Sequence, residues 1–284
     1  MTIHHAFASG PAAVVHKRGI IRAGGTDAEA FLQGQLSQDI SRLAPGESAW
    51  SLLLQPQGKV DAWLRVTRID ATTFLLDVDP QAVDGTLKRL NRFKLRTVCD
   101  LDADEWSIVS IRGAGAAALE VSADSGAEVV VPAEWPGIEG IDLLGPAPTV
   151  PAGVGEASIE DLEVLRILAG VPAMGSELTE RTIPAEAGIV ERSVSFTKGC
   201  FTGQELVARI DSRGGNVPRH LRGVVGDGAL VAGSSIRIDD AEVGIITSVS
   251  ANIGLAYVKR AVESFPAAAH ADAIAVELRE LPLL

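Results

Sequence analysis

The sequence predicts an α+β protein that ends in a small β-barrel. Three observations carry that expectation. Strand-like runs cluster between Trp50 and Val78, helical periodicity marks separate segments, and beyond Gly215 short apolar runs are spaced by Gly and Asp. With 284 residues the chain has room for two or three compact units, and its 46% hydrophobic and 22% charged residues are those of ordinary globular material.

The first element is an apolar strand over Gly19 to Ala23, turned by Gly24 and Gly25. Thr26 and Glu29 then have the spacing of a capping box, and the helix it would start carries Phe31, Leu32 and Leu36 on one face. Trp50 to Leu54, Val60 to Ile69 and Thr73 to Val78 read as strands, broken by a turn at Pro56-Gln57-Gly58. Val83, Leu87 and Leu90 recur at helical spacing within Gln81 to Arg92, and short strands follow near Ile108 and Val129. A Pro/Gly-rich passage, Gly145 to Gly155, reads as a boundary. After it a second strong helix opens at Ser158 and stops at Gly170-Val171-Pro172. Leu221 to Val225, Ser235 to Ile238, Val243 to Val249 and Gly254 to Val258 supply the barrel strands.

A net charge of −12 argues against a surface that neutralises nucleic-acid phosphates over a wide area, so no direct nucleic-acid partner is expected. No stretch has the length and apolarity of a signal peptide or a membrane span, which points to the cytoplasm and to no membrane partner. The two cysteines, Cys99 and Cys200, form no C-x-x-C pair, and a structural zinc site or a disulfide framework is not expected.

Chemistry concentrates in Lys198-Gly199-Cys200-Phe201-Thr202-Gly203-Gln204-Glu205. Thr202 and Glu205 have capping-box spacing, which would start a helix through Leu206 and Val207 with Cys200 just ahead of it. The positive end of that helix and the Lys198 ammonium would both favour a thiolate. The same residues also fit a small buried thiol beside a solvated lysine. Arg209, one turn after Glu205, suits either a surface ion pair or a ligand contact. Cys99, between Val98 and Asp100 in a strand-like run, reads as core.

The run KGCFTGQELVAR, from Lys198 to Arg209, resembles the K-G-C-[YF]-x-G-Q-E signature of YgfZ-like proteins, relatives of the glycine cleavage system aminomethyltransferase. The similarity extends to the run from Asp27 to Gln35, to Gln57-Gly58-Lys59, to Leu165-Arg166-Ile167 and to Ile183-Pro184-Ala185-Glu186. It implies a three-domain aminomethyltransferase-like fold with a central folate funnel and a C-terminal β-barrel. The implied domains are residues 1–48 plus 150–215, residues 49–149, and residues 216–284. It further implies tetrahydrofolate or a derivative as cofactor, no stably bound metal, and a functional thiol at Cys200. Lys198, Gly199, Gly203, Gln204, Glu205 and Arg209 would belong to the cofactor site, and Trp63, by its strand position, would face a pterin ring.

The chain also departs from the transferase. In Gly58-Lys59-Val60-Asp61-Ala62-Trp63 the acidic positions are taken by Ala62 and Trp63, and Asp61 lies one residue away, where a strand turns its side chain to the opposite face. Leu168 replaces a glutamate that holds the pterin, and Cys200 replaces an aspartate. The resemblance therefore implies a tetrahydrofolate-binding accessory protein, not a conventional aminomethyltransferase, that supports assembly or repair of iron–sulfur clusters with client or assembly proteins as partners. The alternative is a folate-dependent one-carbon transferase with a relocated acid, Asp61 or Glu205. A cysteine hydrolase would need a histidine beside Cys200, and only His220 is near in sequence.

Overall fold

The computed structural model describes residues 5–262 and 264–284. The chain runs through α1 (His5–Ala8), β1 (Ala12–Gly24), α2 (Ala28–Gln35), β2 (Ser48–Leu54), β3 (Val60–Arg68) and β4 (Thr73–Val78). It continues with α3 (Val83–Phe93), β5 (Asp100–Arg112), β6 (Val129–Pro132), β7 (Gly140–Gly145), the two-residue β8 (Gly155–Glu156) and α4 (Ile159–Ala169). The strands form one sheet in the order β2-β3-β4-β1-β5-β7-β6, with β8 added parallel to the start of β1. At its centre β1 and β5 pair antiparallel along their whole lengths, from Ala12↔Arg112 to Gly24↔Asp100. Both strands are longer than the apolar runs in the sequence, because Lys17 and the exposed acidic positions from Asp102 to Glu105 interrupt the pattern that marks a half-buried strand.

Strand alternation sorts the two faces of this sheet. Ala62, Leu64 and Val66 of β3, Phe74, Leu76 and Val78 of β4, and Ile21 and Ala23 of β1 pack with Phe31 and Leu32 of α2 and Leu90 of α3. Most of these side chains are fully buried, which stabilises the fold by about 1.5–3 kcal/mol for each large aliphatic side chain. The other face carries Trp63 and Arg65 of β3 and Asp77 of β4 toward an internal cavity. Cys99 is buried in the α2–α3 core, as its sequence setting suggests.

Thr26 and Glu29 do not form the expected capping box. α2 starts after Asp27, whose carboxylate accepts from the Val98 amide (2.8 Å), while Glu29 pairs with Arg68 (2.5 Å). In place of a backbone amide, the Glu29 carboxylate takes a cationic partner on a strand that packs against the helix. The box at α4 does form, with Ser158 and Asp161 each bonding the other's backbone amide.

Past α5 (Val190–Ser193) and α6 (Gln204–Ser212) come β9 (Arg219–Gly226), β10 (Ser235–Ile238), β11 (Ala241–Ser250), β12 (Ile253–Lys259), β13 (Ala267–Ala271) and β14 (Ile274–Arg279). They close a barrel in the order β10-β11-β12-β9-β14-β13 around Val224, Ile236, Ile246 and Leu278. The register shifts between Ile236 and Arg237 and between Ile246 and Ser248, irregularities of the kind that bend strands into closure. α4 lies between the sheet and the barrel. Its Leu162, Leu165 and Leu168 share one cluster with Ala12 and Val14 of β1 and with Leu221, Leu255 and Tyr257 of the barrel. Among the described residues no helix is long and apolar enough to cross a membrane.

Candidate functional site

A cavity of about 110 Å³ opens between the inner face of the sheet, α4 and the segment from Val171 to Ala173. Its floor is built from residues that the strand register places side by side. Arg65 stands opposite Asp77 across β3 and β4, and Ser110 opposite Asp142 across β5 and β7. Arg65 donates to Asp77 (2.6 Å) and to Asp142 (2.9 Å), Arg112 pairs with the other oxygen of Asp142 (2.8 Å), and Arg18 binds Asp77 and Asp79. Three arginines thus face three aspartates. Arg65, Arg112, Asp77 and Asp142 are each at least 96% buried, so removing any one would leave a desolvated charge.

Burial pushes the Asp142 carboxyl up, but attraction to Arg112 and Arg65 and the Ser110 hydrogen bond outweigh it and hold the group well below the usual carboxylate range. Ser110 gives its single hydroxyl proton to Asp142 at 2.8 Å, so His16 Nε2, 3.0 Å from the same hydroxyl oxygen, is the donor there. Burial lowers the His16 pKa.

The walls are aromatic. Trp50 and Trp63 stack with ring centroids 4.3 Å apart, Arg65 lies over Trp50, and Arg112 lies over Trp135 at 4.5 Å. Trp63 Nε1 donates to Ser193 Oγ at 2.9 Å. Trp50 Nε1, Arg65 Nε and Arg112 Nε are buried and have no hydrogen-bond partner among the described residues. Arg166 of α4 closes one side and reaches the fully buried Glu177 (3.1 Å) and Ser248 of β11 (2.8 Å). Glu177 also accepts from Ser248 (2.6 Å), a polar clasp between α4, the turn at Glu177 and the barrel.

The Lys198–Arg209 segment lies elsewhere. All three protons of the Lys198 ammonium are directed at backbone carbonyls, those of Gln33 (2.6 Å), Leu36 (2.7 Å) and Gln38 (3.0 Å). Burial pulls its pKa down to about 8, against the opposing pull of Asp39. Thr202 and Glu205 do not cap α6. The cap residue is Gly203, in the left-handed region at φ +82°, and Glu205 instead pairs with Arg209 on the surface (2.5 Å). Gln204 turns back to accept from the Phe201 amide (3.0 Å). Gly203 and Gly58 pack against each other. A Cβ on Gly203 would stand 2.5 Å from the Gln55 carbonyl oxygen, and one on Gly58 would stand 2.7 Å from Leu206 Cβ. A Cβ on Gly199 would meet nothing within 4 Å among the described residues. Cys200 is exposed, so the reading of it as a small buried thiol is corrected, while Phe201 beside it is buried in the cluster that holds Trp50 and Trp63.

Of the residues singled out in the sequence, Trp63 lines the cavity. Cys200, Lys198, Gly199, Gly203, Gln204, Glu205 and Arg209 do not line it, although Phe201 and Val207 of the same stretch share one apolar cluster with Trp63. Asp61 is also outside the lining. It pairs with Arg89 of α3 at 3.4 Å, and burial raises its pKa. Sequence reasoning missed the charged floor. A signal was present: Arg65 between Leu64 and Val66, Asp77 between Leu76 and Val78, and Asp142 between Ile141 and Leu143 are lone charges inside apolar strands.

Comparison with known proteins places this architecture. The fold matches the crystal structure of glycine cleavage system aminomethyltransferase T from Bartonella henselae with a TM-score of 0.79 at 18% identity, covering 96% of this chain and 86% of that one. The molecule therefore has the aminomethyltransferase fold. The chain is also 26% identical over 220 residues to the tRNA-modifying protein YgfZ of Vibrio vulnificus, covering 70% of this chain and 65% of the relative. It is 27% identical over 241 residues to the mitochondrial iron-sulfur cluster assembly factor IBA57 homolog of Aspergillus oryzae, covering 69% of this chain and 53% of that protein. It is a YgfZ-like relative of the glycine-cleavage T-protein. No family model matches the chain.

Proposed function

We propose that this is a tetrahydrofolate-binding accessory protein that supports iron–sulfur cluster assembly or repair in client enzymes, with a folate in the cavity and Cys200 as the functional thiol. The observation that carries the reading is the cavity itself. Stacked Trp50 and Trp63 and unpartnered buried donors suit a flat heterocycle that bears acceptor atoms. Its three aspartates are neutralised by arginines, which leaves them as framework and not as free acids.

The likeness to YgfZ and to an iron-sulfur cluster assembly factor supports the class of client. When bound, a reduced folate supplies a carrier for one-carbon units. The residues of this chain would line its site with Trp50 and Trp63, which the Phe201 cluster packs behind. In this reading Lys198 clamps the segment, and Gly203, Gln204 and the Glu205–Arg209 pair shape it, so that exposed Cys200 meets a protein partner. The three-domain division, 1–48 with 150–215, 49–149 and 216–284, and a cytoplasmic location are parts of the same proposal. A transferase would need a free acid at the ligand, and both Asp61 and Glu205 lie outside the cavity lining.

Calorimetric titration with tetrahydrofolate under reducing, oxygen-free conditions tests the reading. Saturable one-to-one binding is expected, and no heat at millimolar ligand with the protein folded would contradict it.

A further inference from the structure

We propose that the cavity reads its ligand through hydrogen-bond acceptors and that Trp50, Arg65 and Arg112 are the donors that do so, an assignment that rests on the folate reading above. Five buried side-chain nitrogen or oxygen atoms lack a hydrogen-bond partner among the described residues, and three of them, Trp50 Nε1, Arg65 Nε and Arg112 Nε, belong to residues that line this one cavity. None of the three residues is more than 7% exposed. Native interiors keep few unpaired donors because each carries its full desolvation penalty. Three around one cavity mark a surface whose donors are satisfied from the cavity side.

The buried carboxylates of the same wall are already largely engaged. Asp142 already accepts from Arg65, Arg112 and Ser110, and Asp77 from Arg18 and Arg65. The wall therefore offers a ligand unpaired N–H donors, while its two buried carboxylates are already held by arginines. On a pterin it selects the 4-oxo oxygen over the 2-amino group.

Trp63 is the internal contrast. It stacks on Trp50, yet its own N–H is used by Ser193. Trp63 is a positioning residue and Trp50 a recognising one.

Trp50→Phe and Trp63→Phe each remove one indole N–H and keep an aromatic ring, so the two variants separate these roles. Thermal unfolding and calorimetry are run on the wild type and both variants, with tetrahydrofolate and with its 4-amino analogue, which places a donor where the oxo acceptor stands. The wild type is expected to favour the 4-oxo ligand by about tenfold, equivalent to about 1.4 kcal/mol. Trp50→Phe is expected to lose about tenfold in affinity for tetrahydrofolate with a Tm at or above that of the wild type, since a costly unpaired donor has gone. Trp63→Phe is expected to lower the Tm by about 2–4 °C and to keep the 4-oxo preference. A Trp50→Phe variant that binds tetrahydrofolate like the wild type, or a wild type that prefers the 4-amino ligand, overturns the donor assignment and leaves the folate reading standing. A wild type that binds neither ligand overturns the folate reading, and the assignment with it.

Discussion

The cavity floor and the Cys200 segment solve opposite problems. In the floor, charge is buried and cancelled, and Arg65, Arg112 and Asp142 are locked by strand register and by one another. In the segment the charge is mostly at the surface, and the shape comes from backbone. One half-buried lysine holds three carbonyls, two glycines pack face to face, and the thiol is left in the open. On the proposed reading, the side chains that hold a ligand and those that meet a partner occupy separate sites, although Phe201 and Trp63 belong to one apolar cluster.

The largest expected effect breaks the first half of that comparison. Asp142→Ala would strand the Arg65 and Arg112 guanidiniums in the interior and cost about 3–5 kcal/mol in urea-induced unfolding. The same carboxylate sets a pH dependence. Its folded pKa lies well below the ordinary value of 3.8, so the unfolded chain takes up the proton first. The stability it contributes is fully present above about pH 4 and is lost as pH falls below that toward the folded value. Stability measured from pH 6 down to pH 2 should fall less steeply in Asp142→Asn than in the wild type.

Gly203→Ala should come next. Its Cβ would collide with the Gln55 carbonyl oxygen and Leu54 Cβ at a residue with φ +82°, an expected loss of about 2–3 kcal/mol. Lys198→Met should cost about 2 kcal/mol in the same unfolding assay by releasing three carbonyls, and should leave tetrahydrofolate affinity within about twofold because the ammonium does not line the cavity. Gly199→Ala sharpens the contrast at the small end. With nothing within 4 Å of the new methyl, its stability should change by less than about 0.5 kcal/mol. Lost cellular function in that variant would then report a partner that approaches the backbone beside Cys200.

Much of the fold was legible because strong periodicity marks its core elements. Val60 to Ile69 and Thr73 to Val78 match β3 and β4 closely, and the Ser158 helix and the four marked barrel strands stand where the pattern puts them. β13 and β14 were missed, since the run from Ala267 to Ala271 is nearly all alanine and carries little strand signal. Two capping boxes failed for one physical reason: Glu29 and Glu205 each had an arginine within reach, and a local spacing rule does not see Arg68 on a distant strand. The KGCFTGQE segment is legible in the sequence because it is contiguous. The cavity floor was not, because Arg18, Arg65, Asp77, Arg112 and Asp142 come from five strands and meet only through register.

The most direct test of two separate sites is a pair of readouts on one variant, Cys200→Ala: tetrahydrofolate affinity by oxygen-free calorimetry, and rescue of iron–sulfur enzyme activity in cells that lack the protein. An affinity within about twofold of the wild type together with lost rescue is the predicted result. Loss of folate binding would put the thiol inside the folate site, and full rescue would remove it from the function; either would contradict the account.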